Sequence, residues 1–247
     1  MMLLYKAWRE SRTRFVSAMV ALTAWCVTAI FPLLDKPPDI ILRLLHGQTY
    51  SQYIDFFVFD GLGKALFLLL VMFLALGGLL RERAHRTAFF TLALPVTRTQ
   101  LAGGQIAVGI VELAALSFFP ALVLPLLSGL TNQSYVVDDA LRFAVLRVVC
   151  GTVVFGVTFF LSVILRGEYT AMVGSFLALL LDGALSNMRA LHPYYTTILR
   201  SIAARWDWHA LGPDMTGPPP WPMIAAWIAM SLAFFAAAAL IMERQSL

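Results

Sequence analysis

Charge is what this sequence has least of. Asp, Glu, Lys and Arg make up 13% of its 247 residues, about half the share of an ordinary soluble domain. That scarcity excludes a water-soluble globule of this size. Cysteine is scarce too: Cys26 and Cys150 are the only two, and both fall inside apolar runs. No disulfide framework is read from them, and the redox compartment stays open. Motifs that carry chemistry are missing as well. No GxxxxGK[ST] loop is present to cradle a nucleotide phosphate. Neither HExxH nor a paired CxxC offers a zinc site. His46, His85, His192 and His209 all lie in connections between apolar runs, and Ser162 and Ser175 have no His or Lys partner at depth. An intramembrane hydrolase needs a nucleophile beside a base, so no catalytic, cofactor or metal residue is expected. A nucleic-acid partner is not expected either.

What the sequence has instead is apolar length. The chain is 60% hydrophobic, with a mean hydropathy of +0.79. A bilayer core takes about 20 apolar residues per helix. Six such runs fit, over about 15–34, 61–80, 105–127, 143–165, 169–185 and 221–242. Together they occupy over half the chain and leave no room for a sizeable soluble domain. The expected fold is therefore an all-α integral membrane protein, a single transmembrane domain over 1–247 with six spans. The first run starts only at Phe15 and is not followed by a small-residue cleavage site, so it reads as a permanent span rather than a signal peptide. It closes at Asp35-Lys36-Pro37-Pro38, since adjacent prolines cannot continue a helix. Residues 35–60, with Asp35, Asp39, Asp55 and Asp60, read as a connection. Residues 186–220 form the longest connection and end in Pro218-Pro219-Pro220.

Residues 1–14 carry an amphipathic pattern. Leu3, Leu4, Ala7, Trp8, Ser11 and Phe15 recur on one face, with Lys6, Arg9, Glu10, Arg12 and Arg14 around the rest. The expectation is an elbow helix lying in the headgroup layer, with Trp8 at the boundary and Arg9 and Arg12 toward anionic lipid or a cytoplasmic partner. Six spans put both termini on one side. That side holds ten cations in the shorter loops: Lys6, Arg9, Arg12, Arg14, Arg81, Arg83, Arg86, Arg98, Arg166 and Arg244. The other eight, Lys36, Arg43, Lys64, Arg142, Arg147, Arg189, Arg200 and Arg205, are spread over longer connections. By the positive-inside rule both termini are cytoplasmic.

Two acids lie in apolar surroundings, where a charge at mid-bilayer costs about 2.5–3.5 kcal/mol. Glu112 sits about two turns into span three, either as a hydrogen-bonded structural group or as a transport contact. Asp182 sits toward the end of span five, either as an interfacial residue reaching headgroup water or as a cargo ligand. Pro120 and Pro125 each remove a backbone donor from span three and are expected to bend it.

The most structured polar stretch is RERAHRTAFFTLALPVTR, Arg81 to Arg98. Thr87 can cap a short helix over Ala88–Leu94, and Pro95 stops it. Phe89, Phe90, Leu92 and Leu94 make the piece too apolar to float free, so it lies on the membrane or docks on a protein.

The run Glu82…Thr87…Leu92-Ala93-Leu94-Pro95-Val96-Thr97-Arg98, with Leu101 beyond, resembles the loop between the second and third spans of ABC transporter permease subunits of the type-2 exporter family. Arg86 stands where that family often has Gly, and Gln105 where it often has Lys. The resemblance implies a permease that forms the path while a separate ABC ATPase subunit binds the ATP. It also implies a second permease subunit, in a homodimer or heterodimer, in the plasma membrane of a bacterium (the inner membrane). ATPase coupling is then expected at Arg81, Glu82, Arg83, Arg86, Thr87, Leu94, Pro95, Thr97 and Arg98. The competing reading is a membrane scaffold or assembly factor without transport activity. An adjacent gene for an ATPase, or co-purification of one, separates the two.

Overall fold

The computed structural model describes residues 2–30, 50–59, 61–76, 98–129, 135–165, 168–186 and 221–244. These form α1 (Met2–Ile30), α2 (Tyr50–Ile54), a π-helical turn (Asp55–Phe59), α3 (Gly61–Ala75), α4 (Arg98–Ser128), α5 (Val137–Ile164), α6 (Glu168–Ser186) and α7 (Trp221–Arg244). No strand occurs among the described residues. Five described helical segments are long and apolar enough to cross a bilayer, while α6 carries a shorter apolar stretch, Thr170–Asp182. The chain is a multi-pass, all-helical membrane protein.

The core is built on α5, which packs against α3, α4, α6 and α7. Without water to drive association, helices in lipid are held by close van der Waals packing, and small residues permit it. Gly109 of α4 lets the Phe155 ring of α5 come so near that a Cβ there would lie 2.3 Å from it. Gly151 of α5 receives Leu113 and Phe67, and Gly156 lies against Phe234, Phe235 and the Ser231 carbonyl of α7. Phe155 and Phe159 meet Phe235 edge-on, with ring centroids 6.1 and 6.4 Å apart. The outward faces are apolar, as lipid requires. Val16 and Val20 on α1, Leu122 and Leu126 on α4, and Phe176, Leu180 and Leu181 on α6 are all exposed.

Several boundaries differ from the sequence expectation. Residues 2–14 do not form a separate helix: α1 runs 29 residues unbroken, about 43 Å at 1.5 Å per residue. The reason is local, since neither Gly nor Pro occurs between Met2 and Ile30. Its buried face is not the apolar face of the amphipathic pattern. Ala7, Arg14, Ala18 and Leu22 point inward, whereas Leu4 and Trp8 are exposed.

The described end of the 35–60 connection is not a loop. Residues 50–59 are helical, and Tyr50, Ile54, Asp55, Val58 and Phe59 are buried. Their aromatic content makes them core material. Helix α4 begins at Arg98 rather than near 105, and it contains both Pro120 and Pro125. Helix α5 begins at Val137, which puts Asp138 on its first turn, 2.7 Å from Arg142. Polar residues at the end of an apolar run extend the helix into the interface, and apolarity alone misses those turns.

Candidate functional site

At the end of the bundle that holds the N-terminus, α1 and α4 enclose a small, mostly apolar pocket against α3 and α5, into which a few polar side chains reach. Two periodic faces build it. Ala7, Ser11 and Arg14 recur on α1, and Gln105, Gly109 and Glu112 on α4, both at helical spacing. Leu74 and Ala75 of α3 and Phe155 and Phe159 of α5 close the back. The space is about 30 Å³, room for a water or two. Glu112 is 1% exposed, and the Ser11 hydroxyl donates a hydrogen bond to its carboxylate oxygen. Arg14, 8% exposed, acts on Glu112 through its charge. Buried ionisable groups persist in membranes when they face the bundle interior and find partners, and this cluster meets both conditions. On the rim, Lys6 and Glu10 approach to 3.8 Å, a half-exposed pair worth little in stability.

The opposite end of the bundle is organised around Arg147, which is fully buried. Its Nη2 donates to the Val58 carbonyl at 2.7 Å. Its guanidinium lies over the Phe59 ring at 4.6 Å and the Phe67 ring at 4.9 Å. Val58 and Phe59 belong to the π-turn, where i→i+5 pairing changes the backbone's usual register. A second carbonyl there, Phe57, accepts from Trp25 Nε1 at 3.2 Å, and the two rings stack with centroids 4.8 Å apart. Tyr135 donates to Asp55 at 2.5 Å, and Tyr50 to Ser128 at 2.8 Å. Phe59 stacks on Phe143 at 4.6 Å. Tyr53 donates to the Ala29 carbonyl at 3.2 Å. Burial, with a smaller contribution from Tyr50, pushes the Tyr53 phenol above its ordinary range. Side chains from α1, α5 and the approach to α5 thus grip one turn.

Of the residues singled out from sequence, Arg81, Glu82, Arg83, Arg86, Thr87, Leu94, Pro95 and Thr97 lie outside the described residues. Arg98 is the first residue of α4. Trp8 is 39% exposed and packs its ring near Phe15, while Arg9 and Arg12 are exposed. Glu112 is hydrogen-bonded to Ser11. Asp182 is 6% exposed, on α6. Glu112 and Asp182 do not share a pocket. Arg147, counted from sequence among the cations of a connection, is instead the most deeply buried charge on α5. The signal for it was an arginine inside the apolar run Val145–Cys150. The role of Ser11 and Arg14 had no local signal, because their partner is 101 residues from Ser11. No group of three or more His, Cys, Asp or Glu is placed to hold a metal among the described residues.

The arrangement defines a class, the polytopic helical membrane protein, with one polar and one aromatic fastening between its spans. No protein-family model and no curated protein matches the chain.

Proposed function

We propose that the chain is the permease subunit of an ATP-driven ABC exporter. It would pair with a second copy or a sister subunit and couple to a separate ATPase that binds the nucleotide. In this reading six spans cross a bacterial inner membrane, with both termini cytoplasmic. ATP-driven closure of the ATPases presses on the stretch Arg81–Arg98 and on the N-terminal turns of α1, and tilts the helices that line the path.

The observation that carries this reading is the continuity of α4. Arg98 ends the sequence segment that resembles a coupling loop, and it also begins an unbroken helix of 31 residues. That helix is about 46 Å long, longer than the bilayer's apolar core of about 30 Å. A push at the loop therefore acts on a rod that passes through the whole bundle. The same rod carries Glu112, which contacts the N-terminal turns of α1.

The test uses Glu82→Lys and Arg98→Glu, each reconstituted with the ATPase that co-purifies with the chain from its native membrane. Both variants should insert normally and lose ATP-dependent transport. Full transport in both removes the coupling role.

A further inference from the structure

We propose that Ser11, Arg14 and Glu112 form a mechanical joint that makes the first turns of α1 and the start of α4 move as one body. The proposal deepens the coupling role above and rests on it for its purpose, though not for its existence.

Three observations carry it. First, the N-terminal turns have little apolar material with which to hold on. Among described residues 3–14, Ala7 is the only buried apolar side chain, and Leu4, Tyr5 and Trp8 are exposed at 47%, 68% and 39%. Van der Waals packing, which holds most membrane helices together, is thin along this stretch. Second, the contact with α4 is nevertheless close. A Cβ added to Gly104 would lie 3.9 Å from Leu3, and one helical face, Ala7, Ser11 and Arg14, shares a pocket with Gln105, Gly109 and Glu112. Third, polar atoms occupy the centre of that contact: the Ser11 hydroxyl on Glu112, with the Arg14 charge beside it.

Separating the helices would leave a carboxylate buried without its donor and away from its cation. Such a group is costly in a low-dielectric interior, so the cluster resists separation more than its small size implies. The adjoining space of about 30 Å³ lets water adjust around the carboxylate without the helices parting. Leu74, Ala75, Phe155 and Phe159 line the same pocket, which seats the joint on the bundle's core. Force received by either cytoplasmic segment then reaches the other without passing through lipid.

The test measures the distance between the two segments directly. Spin labels are placed at Tyr5→Cys and Gly103→Cys, both exposed, on the full chain in nanodiscs, with Cys26→Ala and Cys150→Ala removing the native thiols. Pulsed dipolar spectroscopy should give one narrow distance distribution. Glu112→Ala or Ser11→Ala should broaden it about twofold by freeing the N-terminal turns. Glu112→Gln, which retains an acceptor for Ser11, should restore a narrow distribution. Unchanged widths in both alanine variants overturn the joint, and so does a Glu112→Gln width equal to that of alanine. Because this readout needs no ATPase, it is separable from the exporter reading. A wild-type chain that leaves its partner's ATP turnover unchanged counts against the exporter while the label widths still decide the joint.

Discussion

The two ends of the bundle fasten α1 by opposite means. At the N-terminal end, α1 meets α4 through a hydroxyl, a carboxylate and a guanidinium around a water-sized pocket. At the other end, α1 meets the π-turn through a stacked Trp25–Phe57 pair, and Arg147 fills the centre between Phe59 and Phe67. A fastening of rings and satisfied carbonyls has one tightly packed arrangement and resists deformation. The contact between α1 and α4 instead rests on a hydroxyl, a carboxylate and a guanidinium, with little buried apolar material along the first turns of α1. In the proposed coupling the aromatic end is the fixed point, and the polar end is where displacement enters, with α1 and α4 moving together.

Substitutions should separate the ends, and the largest effect belongs to Gly63→Ala. A Cβ there would lie 2.1 Å from the Val58 carbonyl oxygen and 2.6 Å from that of Phe57. Backbone cannot yield as a side chain can, so the π-turn must move. The expected cost is above about 4 kcal/mol, in the range of severe core lesions, seen as loss of monodisperse protein in detergent. Arg147→Ala comes next. It removes cation–π contacts worth about 2 kcal/mol when desolvated and a charge-assisted hydrogen bond to the Val58 carbonyl worth about 1.5–3 kcal/mol. A thermal shift assay should place it well below wild type, and an unchanged midpoint would show that the aromatic end is not the fixed point.

Tyr135→Phe is milder. It removes a hydrogen bond to Asp55, worth about 1.5–3 kcal/mol if the carboxylate is charged, and denaturant titration in mixed micelles would read it. The smallest effects test the polar end through a pair of glycines on α4. Gly109→Ala drives a methyl into the Phe155 ring and should cost about 1–3 kcal/mol by overpacking. Gly103→Ala meets nothing within 4 Å and should be neutral or stabilise by up to about 1 kcal/mol through helix propensity. Equal losses at both positions would contradict the packing described for α4 and α5.

Much of the fold was legible from apolarity, because lipid imposes a simple rule on spans. The six apolar runs correspond to α1, α3, α4, α5, α6 and α7. Ends were less legible. Tyr50–Phe59 reads as part of an acidic connection, yet its rings belong in the core, and Asp55 is accommodated there by Tyr135. The depth of Glu112 could be read from its place in the run, but its partner could not, since helix-to-helix contacts leave no local periodicity. Arg147 shows the limit of counting cations by loop: an arginine near a span's end can turn inward as well as outward. The inward face of α1, Ala7, Arg14, Ala18 and Leu22, was not legible for a related reason. In lipid the apolar face points outward, so an amphipathic pattern does not by itself identify the buried side.

The proposed coupling of this chain to a nucleotide-hydrolysing partner is tested most directly by ATP turnover. The chain is purified from its native membrane with whatever ATPase accompanies it, reconstituted into vesicles, and compared with the same preparation carrying Arg98→Glu. The account predicts that an ATPase accompanies the wild-type chain and that its turnover changes when the chain is present, an effect Arg98→Glu removes. Absence of any such ATPase, or turnover identical with and without the chain, contradicts it.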